Sequence, residues 1–220
     1  MRKALTLTSA LMIVAVLTAA CGAPPPLKSN TYLKDTSLLA TGDCTAPCFH
    51  GITPGKTTFT DAVTKVKADQ AFSNIQSQDK PPQAGWSTTG GEACCQMTAN
   101  DSGVVDAVIA KVTPDVTLQQ VIDKFGQPQY AYTVDYSSDE VAVAVIFPEK
   151  GVVVWVSPGN PASKLTGDSP VVIELFIDPA KWSDVLSTAT LQAWAGFQSY
   201  QSYKSGTPVV TPRVTPTPGG

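Results

Sequence analysis

Val112-Thr113-Pro114-Asp115-Val116-Thr117-Leu118-Gln119-Gln120-Val121-Ile122-Asp123-Lys124-Phe125-Gly126-Gln127-Pro128 is the stretch that decides the fold class of this chain. Thr117 reads as an N-cap, because its hydroxyl can accept from an orphan amide of a first helical turn. Leu118, Val121, Ile122 and Phe125 then recur at helical spacing. Gly126 stops the helix and Pro128 keeps it stopped. Strand signals follow. Tyr130, Tyr132, Val134 and Tyr136 share one face of an extended run, and residues 141–147 and 151–156 are joined by Pro148-Glu149-Lys150, a hairpin-length connection. Residues 171–177 add a further strand, which ends at Asp178-Pro179.

The same phrase has an upstream echo. Ile52-Thr53-Pro54 precedes Val112-Thr113-Pro114 by 60 residues, and Thr58 precedes Thr117 by 59, with the slip falling in the intervening loop. Thr58 takes the cap position, and Phe59, Ala62, Val63 and Val66 take the helical apolar positions. The upstream copy has Ala71-Phe72-Ser73 where the downstream one has its Gly-x-Pro exit, and Gly103 to Val112 closes it as a strand. Helix then antiparallel strands, twice, predicts an α+β fold. It would consist of two tandem helix-plus-antiparallel-sheet units, residues 44–112 and 113–203, with the helices packed on one face of the sheet. Strand and helix do not alternate often enough for a doubly wound parallel sheet.

The ends read differently. Arg2-Lys3 is a basic n-region, and the apolar run from Ala4 to Ala20 ends in Thr18-Ala19-Ala20-Cys21, the small-residue boundary of a secretory signal in residues 1–20. About 17 apolar residues is the short limit for a membrane span, and Cys21-Gly22-Ala23-Pro24-Pro25-Pro26 ends the run abruptly. Residues 21–43, rich in Pro, Ser and Thr, suit a flexible tether. Residues 204–220 repeat Thr-Pro and are expected to be a disordered tail. Leu17-Thr18-Ala19-Ala20-Cys21 resembles the lipobox of bacterial lipoproteins, with Thr18 where Leu or Val is usual. The resemblance implies that Cys21 is lipidated and holds the chain to the cell membrane or outer membrane on its extracytoplasmic side; two or more acyl chains would make that anchor stable.

Thr117, Val121, Gly126 and Pro128 also match a T-x-x-x-V-x-x-x-x-G-x-P helix. This resembles the small outer-membrane-assembly lipoproteins of SmpA/OmlA type and the β-lactamase-inhibitor-protein-like fold, whose units often come in tandem. Cys44-Thr45-Ala46-Pro47-Cys48-Phe49-His50-Gly51-Ile52-Thr53-Pro54-Gly55 looks like the C-x-x-P-C-aromatic-x-G-I-x-P-G opening of uncharacterised bacterial lipoproteins. Both resemblances imply a membrane-tethered interaction or scaffold module with no catalytic residues to carry over.

Five cysteines and one histidine bound the chemistry. With Cys21 set aside for lipid, Cys44, Cys48, Cys94 and Cys95 form an even set bound for an oxidising space, where disulfides are the default. A vicinal Cys94–Cys95 bridge closes a strained eight-membered ring. Chain entropy assigns roughly 2 kcal/mol to closing Cys44 to Cys48 and about 4 kcal/mol to a crosslink from Cys48 to Cys94 or Cys95, which leans towards long-range bridges. The lipoprotein resemblance implies instead a local Cys44–Cys48 bridge, and the pairing stays open at this level. The functional alternative is a soft-metal site, Cys44, Cys48 and His50 with Cys94, Cys95 and Met97. Neither spacing is the C-x2-C of zinc knuckles.

Other function classes fare worse. The formal charge of −3 becomes −5 once the two positive charges of Arg2 and Lys3 leave, so no nucleic-acid partner is expected. A lone His50 excludes two-His metal motifs and makes a nucleophile–base pair improbable. Asp135, Asp139 and Glu140 around Ser137-Ser138 are usual turn formers, and Gly90-Gly91 is too short to cradle phosphate. Leu191, Trp194, Phe197, Tyr200 and Tyr203 recur every third residue, so this C-terminal helical segment packs against the sheet rather than lying on a membrane. Tyr130, Tyr132, Tyr136 and Trp155 offer a second aromatic set, on strands. The expectation is a non-catalytic, lipid-anchored protein-binding or envelope-scaffold module with an envelope protein as partner, no cofactor and no metal. The alternative is a cysteine-based soft-metal protein, or an enzyme of unknown class.

Overall fold

The computed structural model describes residues 26–185 and 189–209. Helix α1 (Phe59–Ala68) starts at Thr58, whose hydroxyl accepts from the Asp61 amide, and buries Phe59, Ala62 and Val66. Strands β1 (Phe72–Asp79), β2 (Pro82–Thr88), β3 (Ala93–Ala99) and β4 (Val105–Lys111) follow as a meander. Helix α2 (Leu118–Phe125) opens with a full capping box: Thr117 accepts from the Gln120 amide, and the Gln120 side chain accepts from the Thr117 amide. Gly126 ends it at φ 84°, a left-handed conformation that glycine adopts without strain. A second meander runs through β5 (Tyr130–Asp135), β6 (Val141–Phe147), β7 (Val152–Gly159) and β8 (Val171–Ile177). Short α3 (Trp182–Val185), β9 (Gln192–Ala193) and α4 (Tyr200–Lys204) complete the order.

The fold class is α+β, and among the described residues all nine strands join one antiparallel sheet in the order β1-β2-β3-β4-β8-β7-β6-β5-β9. Strand β4 pairs with β8 from Ala107↔Ile177 to Lys111↔Ile173, so residues 44–112 and 113–203 share a continuous sheet. One core lies on the helix side, where Phe59 and Val66 of α1, Leu118 and Val121 of α2, and Tyr200 and Tyr203 of α4 meet Trp86, Met97, Val108 and Phe176 of the sheet. A second core covers part of the opposite face, where Ala144, Ile146, Val153, Trp155 and Leu175 pack with Leu27 and Leu191. Strands β6 and β7 are therefore apolar on both faces, as strands covered from two sides must be.

Two stretches depart from the sequence reading. Residues 21–25 lie outside the described residues, but the rest of the expected tether packs down: Leu27, Tyr32, Leu33 and Leu38 are buried, and Leu33 bridges Val112. Scattered apolar residues without a period give no local signal, yet each fills a gap in the core. The C-terminal segment is an edge strand and a single helical turn rather than one helix. Leu191, Tyr200 and Tyr203 are buried while Phe197 is exposed, so the three-residue spacing does not describe one face. The signal sequence and Cys21 fall outside the described residues, as do residues 210–220 of the tail. Residues 204–209 belong instead to the packed C-terminal segment, where Lys204 ends α4 and the Val209 amide donates to the Leu191 carbonyl at 2.8 Å, and are not part of a disordered tail.

Candidate functional site

The Cys44 to Gly55 loop is closed by its own backbone. Phe49 and Ile52 exchange reciprocal N–H···O bonds of 2.8 Å, with His50 at φ 47° and Gly51 at φ 78° forming the tip. Cys44 is bonded to Cys48, with Cα atoms 5.0 Å apart, and Cys94 is bonded to its neighbour Cys95. The long-range bridges favoured by chain entropy are therefore absent. That arithmetic ranks crosslinks by what they remove from the denatured chain, whereas native geometry selects here: the tight turn presses Cys44 and Cys48 together, and β3 seats Cys95 between Trp86 and Ala110. With all four sulfurs in bridges, they are not available as the thiolate ligands that a soft-metal site needs. Among the described residues, no group of three or more His, Cys, Asp and Glu side chains is placed to hold a metal ion.

The turn delivers His50 inward. Its Nδ1 lies 2.7 Å from Asp69 Oδ2, and its Nε2 lies 3.6 Å from Asp35 Oδ1, an ion-pair separation too long for a hydrogen bond. Phe49 and Phe72 flank the ring at 4.7 and 4.8 Å between centroids. Burial works to depress the imidazole pKa, but the two carboxylates outweigh it and hold it above its ordinary value. For Asp35, burial pushes upward, while His50 and the Ser37 donors prevail and hold the carboxyl below its ordinary value. Asp35 Oδ1 accepts from the Ser37 amide at 2.9 Å and its hydroxyl at 2.8 Å.

Glu174, a residue the sequence reading passed over, lies beneath this group. Burial, and then the Asp35 charge, push its carboxyl well above the ordinary range. The available signal was a single acid inside the apolar run Val171-Val172-Ile173-Glu174-Leu175-Phe176-Ile177.

A second candidate lies on the opposite side of the sheet. The far face of β1–β4 forms an open trough of about 690 Å³ lined by Asn74, Gln76, Gln78, Gln83, Gln96 and Lys111, among others, and no carboxylate lines it. Gln76, Gly85 and Gln96 stand in one cross-strand row, and Gln78, Gln83 and Thr98 in the next. The half-buried Lys111 ammonium lies 5.4 Å from the centroid of the Tyr32 ring.

The remaining sequence candidates do structural work. Asp135 accepts from the Tyr200 hydroxyl at 2.5 Å and from Lys204 at 2.9 Å, tying α4 to β5. Ser137 accepts from the Asp139 and Glu140 amides in a turn. Tyr130 stacks on Trp182, Tyr132 meets Trp155 edge-on, and Trp194 stacks on Tyr203.

No family model matches the sequence, and no curated protein matches it. Among solved structures, the chain is similar to a DUF4309 family protein (YjgB) from Bacillus subtilis subsp. subtilis str. 168. The match is 12% identical, covers 58% of this chain and 83% of that one, and has a TM-score of 0.31.

Proposed function

We propose that this chain is a lipoprotein held by a lipid on Cys21 at the extracytoplasmic side of the cell membrane or outer membrane, where its open half-sheet docks an envelope protein without catalysis. The observation that carries this reading is the acid-free, amide-rich trough over β1–β4. Glutamine and asparagine side chains present a donor and an acceptor together, which suits a polar protein surface, and Lys111 favours a neutral or acidic partner over a basic one. The sole imidazole is held between two carboxylates on the other side of the sheet, away from the trough. A tandem origin is part of the proposal. Thr58 and Thr117 cap equivalent helices 59 residues apart, each followed by a four-strand meander, and the two meanders meet through their last strands.

A photo-crosslinking residue in place of Gln96, compared with one in place of Lys67 on α1, tests the surface in membranes. A single envelope protein crosslinked from position 96, absent from position 67 and lost on Lys111→Glu, is the expected result; equal labelling at both positions would overturn it. Mass spectrometry tests the anchor separately, since an unmodified Cys21 or an intact Met1 terminus contradicts it.

A further inference from the structure

Glu174 is the middle residue of β8, paired with Ala110 of β4 on one side and Val154 of β7 on the other. Directly paired residues project to the same face. Ala110 and Val154 both belong to the helix-side core, so the carboxyl points into apolar packing. It is fully buried, and neither Oε1 nor Oε2 has a hydrogen-bond partner. Asp35 is close enough to act on it electrostatically, and Asp35 Oδ2 is likewise buried without a partner. Two carboxylates cannot stay ionised together in such a place, because Glu174 would lack both water and a donor, and the Ser37 donors to Asp35 are spent on Oδ1, leaving Oδ2 without one. A carboxylic acid, by contrast, supplies the one donor missing, and the orphaned Asp35 Oδ2 is an acceptor for it.

We propose that Glu174 and Asp35 form a proton-binding site, holding one proton between them as an acid–carboxylate pair with His50 as counter-cation, and that this site locks residues 27–55 onto the central strand. The inference does not depend on the docking partner proposed above. The locked segment supplies Asp35 and His50, the sheet supplies Glu174, and α1 with its C-terminal flank supplies Asp69 and Lys65. Lys65 reaches to 3.6 Å from where a Gly51 Cβ would stand. Lys124 of α2 is engaged elsewhere, donating to the Ala40 carbonyl at 2.9 Å. Losing the proton adds the Glu174 charge to those of Asp35 and Asp69, three carboxylates against a single imidazole. The central strand is bonded on both sides, so the strain falls on the segment, which is held at Leu33 by bonds of 3.2 Å to Lys111 O and 2.9 Å from Thr113 N. Because this segment leads towards Cys21, its release would loosen the domain from its proposed anchor.

Glu174 and His50 are both raised, so the folded state binds more protons than the unfolded one. Stability falls as pH rises above the ordinary values of 4.5 and 6.5 respectively. Asp35 is lowered, and its contribution is lost only as pH falls below 3.8. The contribution of these groups is therefore greatest between pH 3.8 and 4.5.

The test is a carboxyl-carbon NMR titration of the full chain labelled at glutamate, which has only four such residues: Glu92, Glu140, Glu149 and Glu174. One resonance should keep the protonated shift at neutral pH and vanish in Glu174→Gln. Amide exchange at Leu33 and Thr113, corrected for its intrinsic pH dependence, should rise about tenfold per pH unit for each raised group traversed, and rise less steeply in Glu174→Gln, where only the His50 linkage to Asp35 and Asp69 remains. If all four carboxyls titrate in the ordinary range, the proposal fails, and it also fails if exchange rises equally in the variant. Should Glu174→Gln not fold, the wild-type titration and Asp35→Asn carry the test, the latter by returning the raised glutamate resonance towards its neighbours.

Discussion

The sheet face turned away from the helices is built in two chemistries along a single backbone row. Gln76, Gly85 and Gln96 stand opposite one another on β1–β3, and the same row continues through Ile109, Leu175, Val153 and Ile146 to Tyr130. At the amide end the face is open; at the aliphatic end Leu27 and Leu191 cover it. Backbone geometry is the same throughout, so side-chain chemistry alone decides which half becomes core and which remains surface. An isolated meander has a helix-covered face and a wet face, and β1–β4 follow that pattern. The β5–β8 half departs from it because two extra segments, at Leu27 and Leu191, give its valines and alanines something to bury against.

The largest break in this comparison comes from moving an amide across it. Ala144 is fully buried in the covered half, in the row that runs Tyr132, Ala144, Trp155, Ile173 and Lys111. Ala144→Gln adds volume and an unpaired amide to a close-packed layer, and should cost about 3 kcal/mol in urea denaturation. A cost below about 1 kcal/mol would mean that the second core is loose enough to admit the side chain or water.

Legibility in the sequence tracks the same division. Helix α2 was readable from Thr117, Gly126 and Pro128 because caps and stops are local signals, and β6 to β8 from their apolar runs. Strands β1 and β2 escaped notice. Phe72-Ser73-Asn74-Ile75-Gln76-Ser77-Gln78-Asp79 has little to alternate when one face meets water, and a register shift between Ser73 and Gln76, with Asn74 at φ 51°, breaks what alternation remains. The cysteines were recognised as a structural set, and the lipoprotein resemblance implied the Cys44–Cys48 bridge, but chain entropy pointed to long-range bridges because it does not register how the turn closes. Glu174 was visible as an acid among valines; its tie to Asp35 was not, because it joins residues far apart in the chain.

Thr117 and Gln120 satisfy two amides reciprocally, whereas Thr58 satisfies one. A Thr117→Ala, Gln120→Ala double substitution, which removes both arms of the box, should cost about 1.5 kcal/mol and Thr58→Ala about 0.7 kcal/mol, both by chemical denaturation. Equal costs would mean that the Gln120 arm of the box contributes nothing beyond the cap. Opening the Cys44–Cys48 bridge by a Cys44→Ser, Cys48→Ser double substitution falls in the same range, roughly 2 kcal/mol for so short a loop. That change should perturb the His50 environment as well, because the bridged turn presents the imidazole to Asp69, and the His50 NMR titration would report it.

The smallest effect is the most diagnostic for the open half. Gln83→Ala and Gln96→Ala remove exposed side chains from the middle of the trough, where Gln83 faces Thr98 across β3 and Gln96 faces Gly85. Folding stability should change by no more than about 0.5 kcal/mol, because neither amide fills a cavity or satisfies a buried partner. If these residues serve docking, crosslinking to the envelope partner should fall in both variants while the melting curve stays put. If instead either alanine destabilises the fold as much as a core truncation does, the amides are holding the half-sheet together, and the two halves of the face differ in chemistry but not in role.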